Sequence, residues 1–251
     1  MVWYPVTAVA AGVYGVLAGL LVPEIIRRIP EPKVEPGEPA GNEAGQAPVE
    51  AAGDAAAVEK EPYADIARMR GLRTGAALAT GVVAALLGGG LGWRPELSFL
   101  LYLAPVGVAL AVVDWRTRLL PTKVIAPSYA VVVTLAVMSA CTHRDWHALE
   151  TAGFGWLVAG GTFLLLWLIY PRGMGYGDVR LSGVLGIALG YLGWAPMLTG
   201  VYAGFVLGGA GGLLLAAARV VDRKAYPFGP FMLLGALVGV LLGPYVGAWY
   251  A

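Results

Sequence analysis

The chain of 251 residues has one cysteine, Cys141, and two histidines, and only 13% of its residues are charged. A single thiol allows no internal disulfide and no cysteine-held zinc site. Nor is there an excess of positive charge: 17 Lys and Arg face 16 Asp and Glu, a net charge of +1, which argues against a nucleic-acid-binding surface. The charged fraction is about half the roughly 25% of soluble domains, while 58% of residues are hydrophobic. A soluble domain must cover itself with polar groups, and this chain has too few. Lipid removes that requirement and forces the backbone into helices or a closed barrel. The composition therefore predicts a polytopic membrane protein.

Apolar runs long enough to cross a hydrocarbon core at about 1.5 Å per residue fall near residues 2–23, 74–93, 97–113, 124–141, 150–170, 179–196, 197–218 and 228–249. They are continuously apolar and do not alternate, which disfavours a β-barrel. The expected fold class is all-α, with about eight transmembrane helices. The least marked boundary is the short turn near Trp194, Ala195 and Pro196. Cytoplasmic loops retain Lys and Arg, and on eight spans 15 of these residues fall on one side, with only Arg94 and Arg144 on the other. Both termini are then extracytoplasmic. The first span has Arg27 and Arg28 after it and no basic residue before it, the reverse of a cleavable signal peptide, so residues 1–30 read as a retained anchor helix. Residues 31–72 form a cytoplasmic loop. Its 31–62 stretch is rich in Pro, Glu, Ala and Gly, with few large apolar side chains to offset the entropy of ordering, and it reads as a disordered tether. Residues 73–251 form the membrane core.

Within that core, Gly200, Gly204, Gly208 and Gly212 stand on one helical face, where a neighbouring helix can approach closely. Pro105 is expected to kink its span. Trp3, Tyr4, Trp93, Trp146, Trp194, Trp249 and Tyr250 near span ends fit an interfacial belt. His143 and His147, with Asp145 between them, would make a metal-binding i, i+4 pair on a continuous helix, but in a short extracytoplasmic turn they read as interfacial polar residues.

Two acids flank apolar runs on the predicted cytoplasmic side, a depth at which ionisable groups are costly and mark function. They are Asp114, in V-V-D-W-R-T-R-L-L-P, and Asp178, in G-M-G-Y-G-D-V-R-L. Singly, Asp114 could be an ion-pair partner of Arg116 or Arg118, and Asp178 a helix cap. However, capping a helix does not require Gly173, Gly175 and Gly177, which alternate before Asp178. Glycine there lets another chain approach or leaves the aspartate unobstructed. Two carboxylates on one membrane face could share a proton, one acting as general base toward water and the other as general acid. Asp178 opens a helix and Asp114 closes one, so the helix dipole suggests Asp178 as the base and Asp114 as the acid.

On these residues the sequence resembles the type IV prepilin peptidases. Gly175-Tyr176-Gly177-Asp178 matches the Gly-x-Gly-Asp signature of membrane aspartic proteases. Asp114, Leu120 and Pro121 match the first family motif, Asp followed after five residues by an aliphatic residue and Pro. Tyr226-Pro227-Phe228-Gly229-Pro230 is similar to the run that opens the family's last helix. Arg180 stands where the family often has Lys; its charge could lower the carboxylate pKa or anchor to headgroups, and the anchor is the favoured reading. The resemblance implies Asp114 and Asp178 as catalytic residues, with Gly175, Gly177, Pro121, Arg180, Pro227 and Gly229 supporting them. It also implies cleavage of prepilins or pseudopilins after the Gly that ends a short basic leader. The expected location is the bacterial cytoplasmic (inner) membrane, with the active site facing the cytoplasm and lipid and the prepilin as partners.

Longer members carry two C-x-x-C pairs in the loop after the first span, and many methylate the new amino terminus with S-adenosylmethionine. The loop of this chain has no cysteine, so the zinc site is not expected; methyltransferase activity and use of S-adenosylmethionine stay open, since some cysteine-free members retain them, and no methyl-donor residues are carried over. The resemblance implies that proteolysis needs no cofactor. Other readings of the same acids are a preflagellin-type or presenilin-like protease, an ion-coupled transporter, and a non-enzymatic assembly factor. A transporter would place its key charges near the bilayer midplane.

Overall fold

The computed structural model describes residues 3–31, 61–171, 174–217 and 227–250. Residues 32–60 of the expected tether, together with Arg172, Gly173, Arg219, Arg223, Lys224 and Tyr226, lie outside these. Eleven α-helices account for most of the described chain: α1 Pro5–Gly19, α2 Val22–Arg27, α3 Tyr63–Ala67, α4 Leu72–Leu91, α5 Leu97–Thr117, α6 Thr122–His143, α7 Trp146–Gly155, α8 Gly161–Ile169, α9 Tyr176–Tyr191, α10 Trp194–Ala217 and α11 Gly229–Tyr250. A π-helical turn, Trp156–Gly160, joins α7 to α8. No strand occurs among the described residues, and the all-α membrane fold expected from the sequence is the fold found.

Seven stretches of described helix are long and apolar enough to cross a membrane: Pro5–Arg27, α4, α5, α6, Trp146–Ile169, and the apolar parts of α10 and α11. The eighth expected span corresponds to α9, which is shorter at 16 residues and the most enclosed helix, with 13 of them buried. It is packed by α6, α7, the π turn, α8, α10 and α11. A helix enclosed on all sides needs no amphipathic stripe, and Val179, Leu181, Val184, Leu185, Ile187 and Leu189 meet neighbours around its whole circumference. The turn that starts α10 lies earlier than expected, at Gly193, whose φ of +114° favours glycine. Trp194, Ala195 and Pro196 belong to the first helical turn, where proline's missing N–H costs nothing.

Helices in lipid gain little from the hydrophobic effect against one another and rely on close packing. α1 lies along α4, and α10 along α11. A Cβ on Gly15 would come 2.6 Å from the carbonyl of Thr80, and one on Gly239 would come 2.7 Å from Cα of Gly200. Gly200 and Gly204 of the expected small-residue face thus meet α11, while Gly208 meets the Phe228 ring. Gly239→Leu should therefore destabilise the protein by about 1–3 kcal/mol through overpacking, seen as a lower thermal midpoint in detergent.

Trp3, Trp93, Trp146, Trp194 and Trp249 are exposed, and all five belong to one end of the bundle, at the starts of α1, α7 and α10 and the ends of α4 and α11. His143 ends α6, and His147 lies in α7 beyond a break at Arg144 (φ +54°), so the two do not share a helix. Asp145 caps α7, its carboxylate accepting the N–H of Ala148 at 3.1 Å. At the opposite end, the C-terminal part of the 31–72 segment forms α3. Tyr63 and Ile66 pack with Val22, Ile26 and Ile29 against Ala109 and Val113 of α5. The Arg116 guanidinium adds a two-pronged hydrogen bond to Glu61, at 2.8 and 3.0 Å.

Candidate active site

The first motif is the turn between α5 and α6. Arg118 takes a left-handed φ of 57° and its N–H closes on the carbonyl of Asp114 at 2.8 Å, which ends α5. Proline disfavours helical backbone at the residue before it, and Pro121, with ψ of 121°, precedes the first residue of α6, Thr122. Asp114 is thereby held in the last turn of α5, 4% exposed. Its Oδ2 accepts the N–H of Gly229 at 2.9 Å. Arg116, which the sequence offered as its ion-pair partner, is engaged by Glu61.

The second motif opens α9. Gly175 is extended, with ψ of 142°, and Asp178 is the third helical residue. Its N–H donates to the Gly175 carbonyl at 3.0 Å, and its Oδ2 accepts the Gly175 N–H at 3.2 Å. This is the carboxylate half of a capping box; Gly175 has no side chain for the other half, and the Asp178 N–H is taken by its main-chain carbonyl. Asp178 is therefore not the N-cap residue that the sequence suggested, since Gly175 holds that position; its carboxylate, only 8% exposed, instead reaches back to the cap's N–H.

The third motif opens α11. Pro227 is buried, and Gly229 is the first helical residue.

Leu120 joins the three motifs. A Cβ on Gly177 would lie 2.6 Å from Cβ of Leu120 and 3.2 Å from its carbonyl oxygen. A Cβ on Gly229 would lie 3.3 Å from Cδ2 of Leu120 and 2.8 Å from Oδ2 of Asp114. Glycine at both positions is what lets the α5–α6 turn, the start of α9 and the start of α11 close on one another.

A family model described as the type IV leader peptidase family matches residues 101–243, more than half of the chain and all three motifs. The chain belongs to the type IV leader peptidase family. Curated proteins named prepilin leader peptidase/N-methyltransferase are similar to it. The one from Pseudomonas putida is 29% identical over 177 residues, 65% of this chain and 58% of that protein. That from Dickeya chrysanthemi is 32% identical over 173 residues, covering 64% and 56%. That from Stutzerimonas stutzeri is 25% identical over 182 residues, covering 69% and 59%. The match thus spans less than two thirds of these relatives. No solved structure matches the chain.

The fold brings together, at one end of the leader-peptidase core, Asp114, Pro121, Gly175, Gly177, Asp178, Pro227 and Gly229. The Arg180 guanidinium lies 4.6 Å from the centre of the Tyr176 ring and donates to the Thr122 hydroxyl. Tyr176 in turn meets Trp167 of α8 edge-on at 5.1 Å.

Thr122 was not singled out in the sequence. Its signal was modest, a short hydroxyl immediately after the helix-opening Pro121. Leu120 was seen only as the aliphatic member of a motif, and its place as the common neighbour depends on the tertiary fold. Both carboxylates also sit at helix N-termini, Asp178 at that of its own α9 and Asp114 against that of α11. The sequence contrast between a helix-opening and a helix-closing aspartate is therefore levelled, because the positive ends of two helix dipoles face the pair.

Among the described residues, no group of three or more His, Cys, Asp or Glu could hold a metal ion. What the arrangement offers is two buried carboxylates at one end of the bundle, each accepting a backbone N–H, groups of the kind that carry general acid–base chemistry.

Proposed function

We propose that this protein is a prepilin peptidase that cuts the basic leader from type IV prepilins or pseudopilins after Gly, using Asp114 and Asp178 as a proton-sharing dyad. The observation that carries the reading is the convergence on Leu120 of Gly177, next to Asp178, and of Gly229, whose N–H meets Asp114. The ionised carboxylate takes a proton from a water whose oxygen attacks the scissile carbonyl carbon, while the protonated carboxyl hydrogen-bonds the carbonyl oxygen. Collapse of the tetrahedral species breaks the C–N bond, and the departing nitrogen takes the proton. Because both carboxylates meet a helix N-terminus, the proton belongs to the pair, and either residue can serve as base or acid.

The site sits where such a substrate presents its bond. A prepilin whose apolar helix lies in lipid keeps its basic leader in water, so the bond between them is at the interface. Arg27, Arg28, Arg68, Arg70, Arg73, Arg116, Arg118, Lys123 and Arg180 lie at the end of the bundle that holds the two aspartates, with Arg94 and Arg144 at the other. By the positive-inside tendency the site then faces the cytoplasm of a bacterial inner membrane, with the chain's ends outside. This edge position also separates the reading from an ion-coupled transporter, whose charges belong at mid-membrane.

The test is cleavage by the purified protein, in detergent or vesicles, of a prepilin with a basic leader, a Gly and an apolar helix. Mass spectrometry should show the released leader ending in that Gly. A prepilin left intact by protein that is folded, or cut equally well by Asp178→Asn, would overturn the reading.

A further inference from the structure

Just beyond the acid in α9, Arg180 is gripped twice by α6. Thr122 accepts from its guanidinium. Two turns along the same face of α6, the Tyr129 hydroxyl donates to the Arg180 backbone carbonyl at 2.8 Å. That contact exists because Gly183 lacks a side chain: a Cβ there would run into the Tyr129 hydroxyl and come 3.2 Å from the Trp156 indole. Trp156 opens the π turn, a local widening of the helix, and its indole lies against the same hydroxyl. Neighbours on two sides thus meet at one carbonyl, two residues after Asp178. α6 begins at the turn that also sets Asp114, so whatever fixes α9 against α6 fixes one carboxylate relative to the other.

We propose that Tyr129 is a positioning residue which, through the Arg180 carbonyl and with the room left by Gly183, sets the height and rotation of α9 and so the separation of Asp178 from Asp114. The inference rests on the peptidase reading for its kinetic consequence, but the clamp itself is a mechanical claim about α9.

Tyr129→Phe keeps the ring and removes only the hydroxyl. Misplacing one member of a reacting pair by a fraction of an ångström should lower kcat by about tenfold. KM should stay within roughly twofold if both residues act through the placement of α9 and not on the substrate. Amide hydrogen exchange over residues 176–184, followed by mass spectrometry, should quicken in the same variant. Gly183→Ala should reproduce both effects by pushing the hydroxyl away. The double variant should lose less than the product of the two single losses, since without the hydroxyl the new methyl has space.

Wild-type kcat and exchange in Tyr129→Phe would overturn the proposal, as would an effect confined to KM or a fully multiplicative double variant. If the wild-type protein cuts no prepilin, the peptidase reading falls, and the exchange measurement still decides whether the clamp exists.

Discussion

Asp114→Asn and Asp178→Asn should each lower the rate of prepilin cleavage by about four orders of magnitude, the scale on which removing one member of a cooperating catalytic unit acts. The amide is close in shape to the carboxylate, so the effect isolates proton transfer. In Asp178→Asn the amide oxygen can still accept the Gly175 N–H, as Oδ2 does at 3.2 Å. In Asp114→Asn it can accept the Gly229 N–H, as Oδ2 does at 2.9 Å. The helix starts at α9 and α11 are therefore retained, and thermal unfolding in detergent should be close to that of the wild type. The double variant should be no slower than the worse single one, because a dyad with one member removed has already lost its proton exchange. Rate constants for a fluorogenic prepilin peptide, measured beside unfolding midpoints, check both statements. Loss of activity accompanied by an equal loss of folded protein would point to a purely structural pair.

The second large effect is expected from Gly177→Ala. The added methyl would sit 2.6 Å from Cβ of Leu120 and 3.2 Å from its backbone carbonyl. Neither neighbour is the free end of a flexible side chain, so the α5–α6 turn and the start of α9 must move apart. Such overpacking costs about 1–3 kcal/mol of stability. Because the strain lies between the two aspartates, cleavage should fall by about 100-fold or more, well beyond what the lost stability explains. Gly175→Ala is the matched control: a Cβ there would come 3.4 Å from Oδ2 of Asp178, ordinary contact distance, at a φ of −72° that any residue adopts. Comparable loss in the two variants would show that the glycines serve backbone freedom in general, and not the closeness of Gly177 to Leu120.

Much of this was legible along the chain. The eight apolar segments were read within a few residues of the helices that form, because membrane thickness sets a length and lipid leaves the backbone no alternative to internal hydrogen bonding. The spacing of Asp114, Leu120 and Pro121 became a helix end, a left-handed turn and a new helix start, each following from local backbone rules. What was not legible for Arg180 was its partners, for a tertiary reason. A lone arginine after an acid at a membrane edge looks like a headgroup anchor, and nothing local reveals that Thr122, 58 residues away, waits for its guanidinium. The same holds for α3, whose Tyr63 and Ile66 find Val113 only once α2 and α5 are side by side.

The sequence alone determined the solvent, the helices, and the two acids worth watching, since composition, run length and motif spacing are properties of neighbouring residues. Only the packed structure decided that Leu120 meets Gly177 and Gly229, that α11 aims its first N–H at Asp114, and that α9 is the enclosed helix. Those facts depend on which surfaces fit together across distances in sequence that no local pattern encodes.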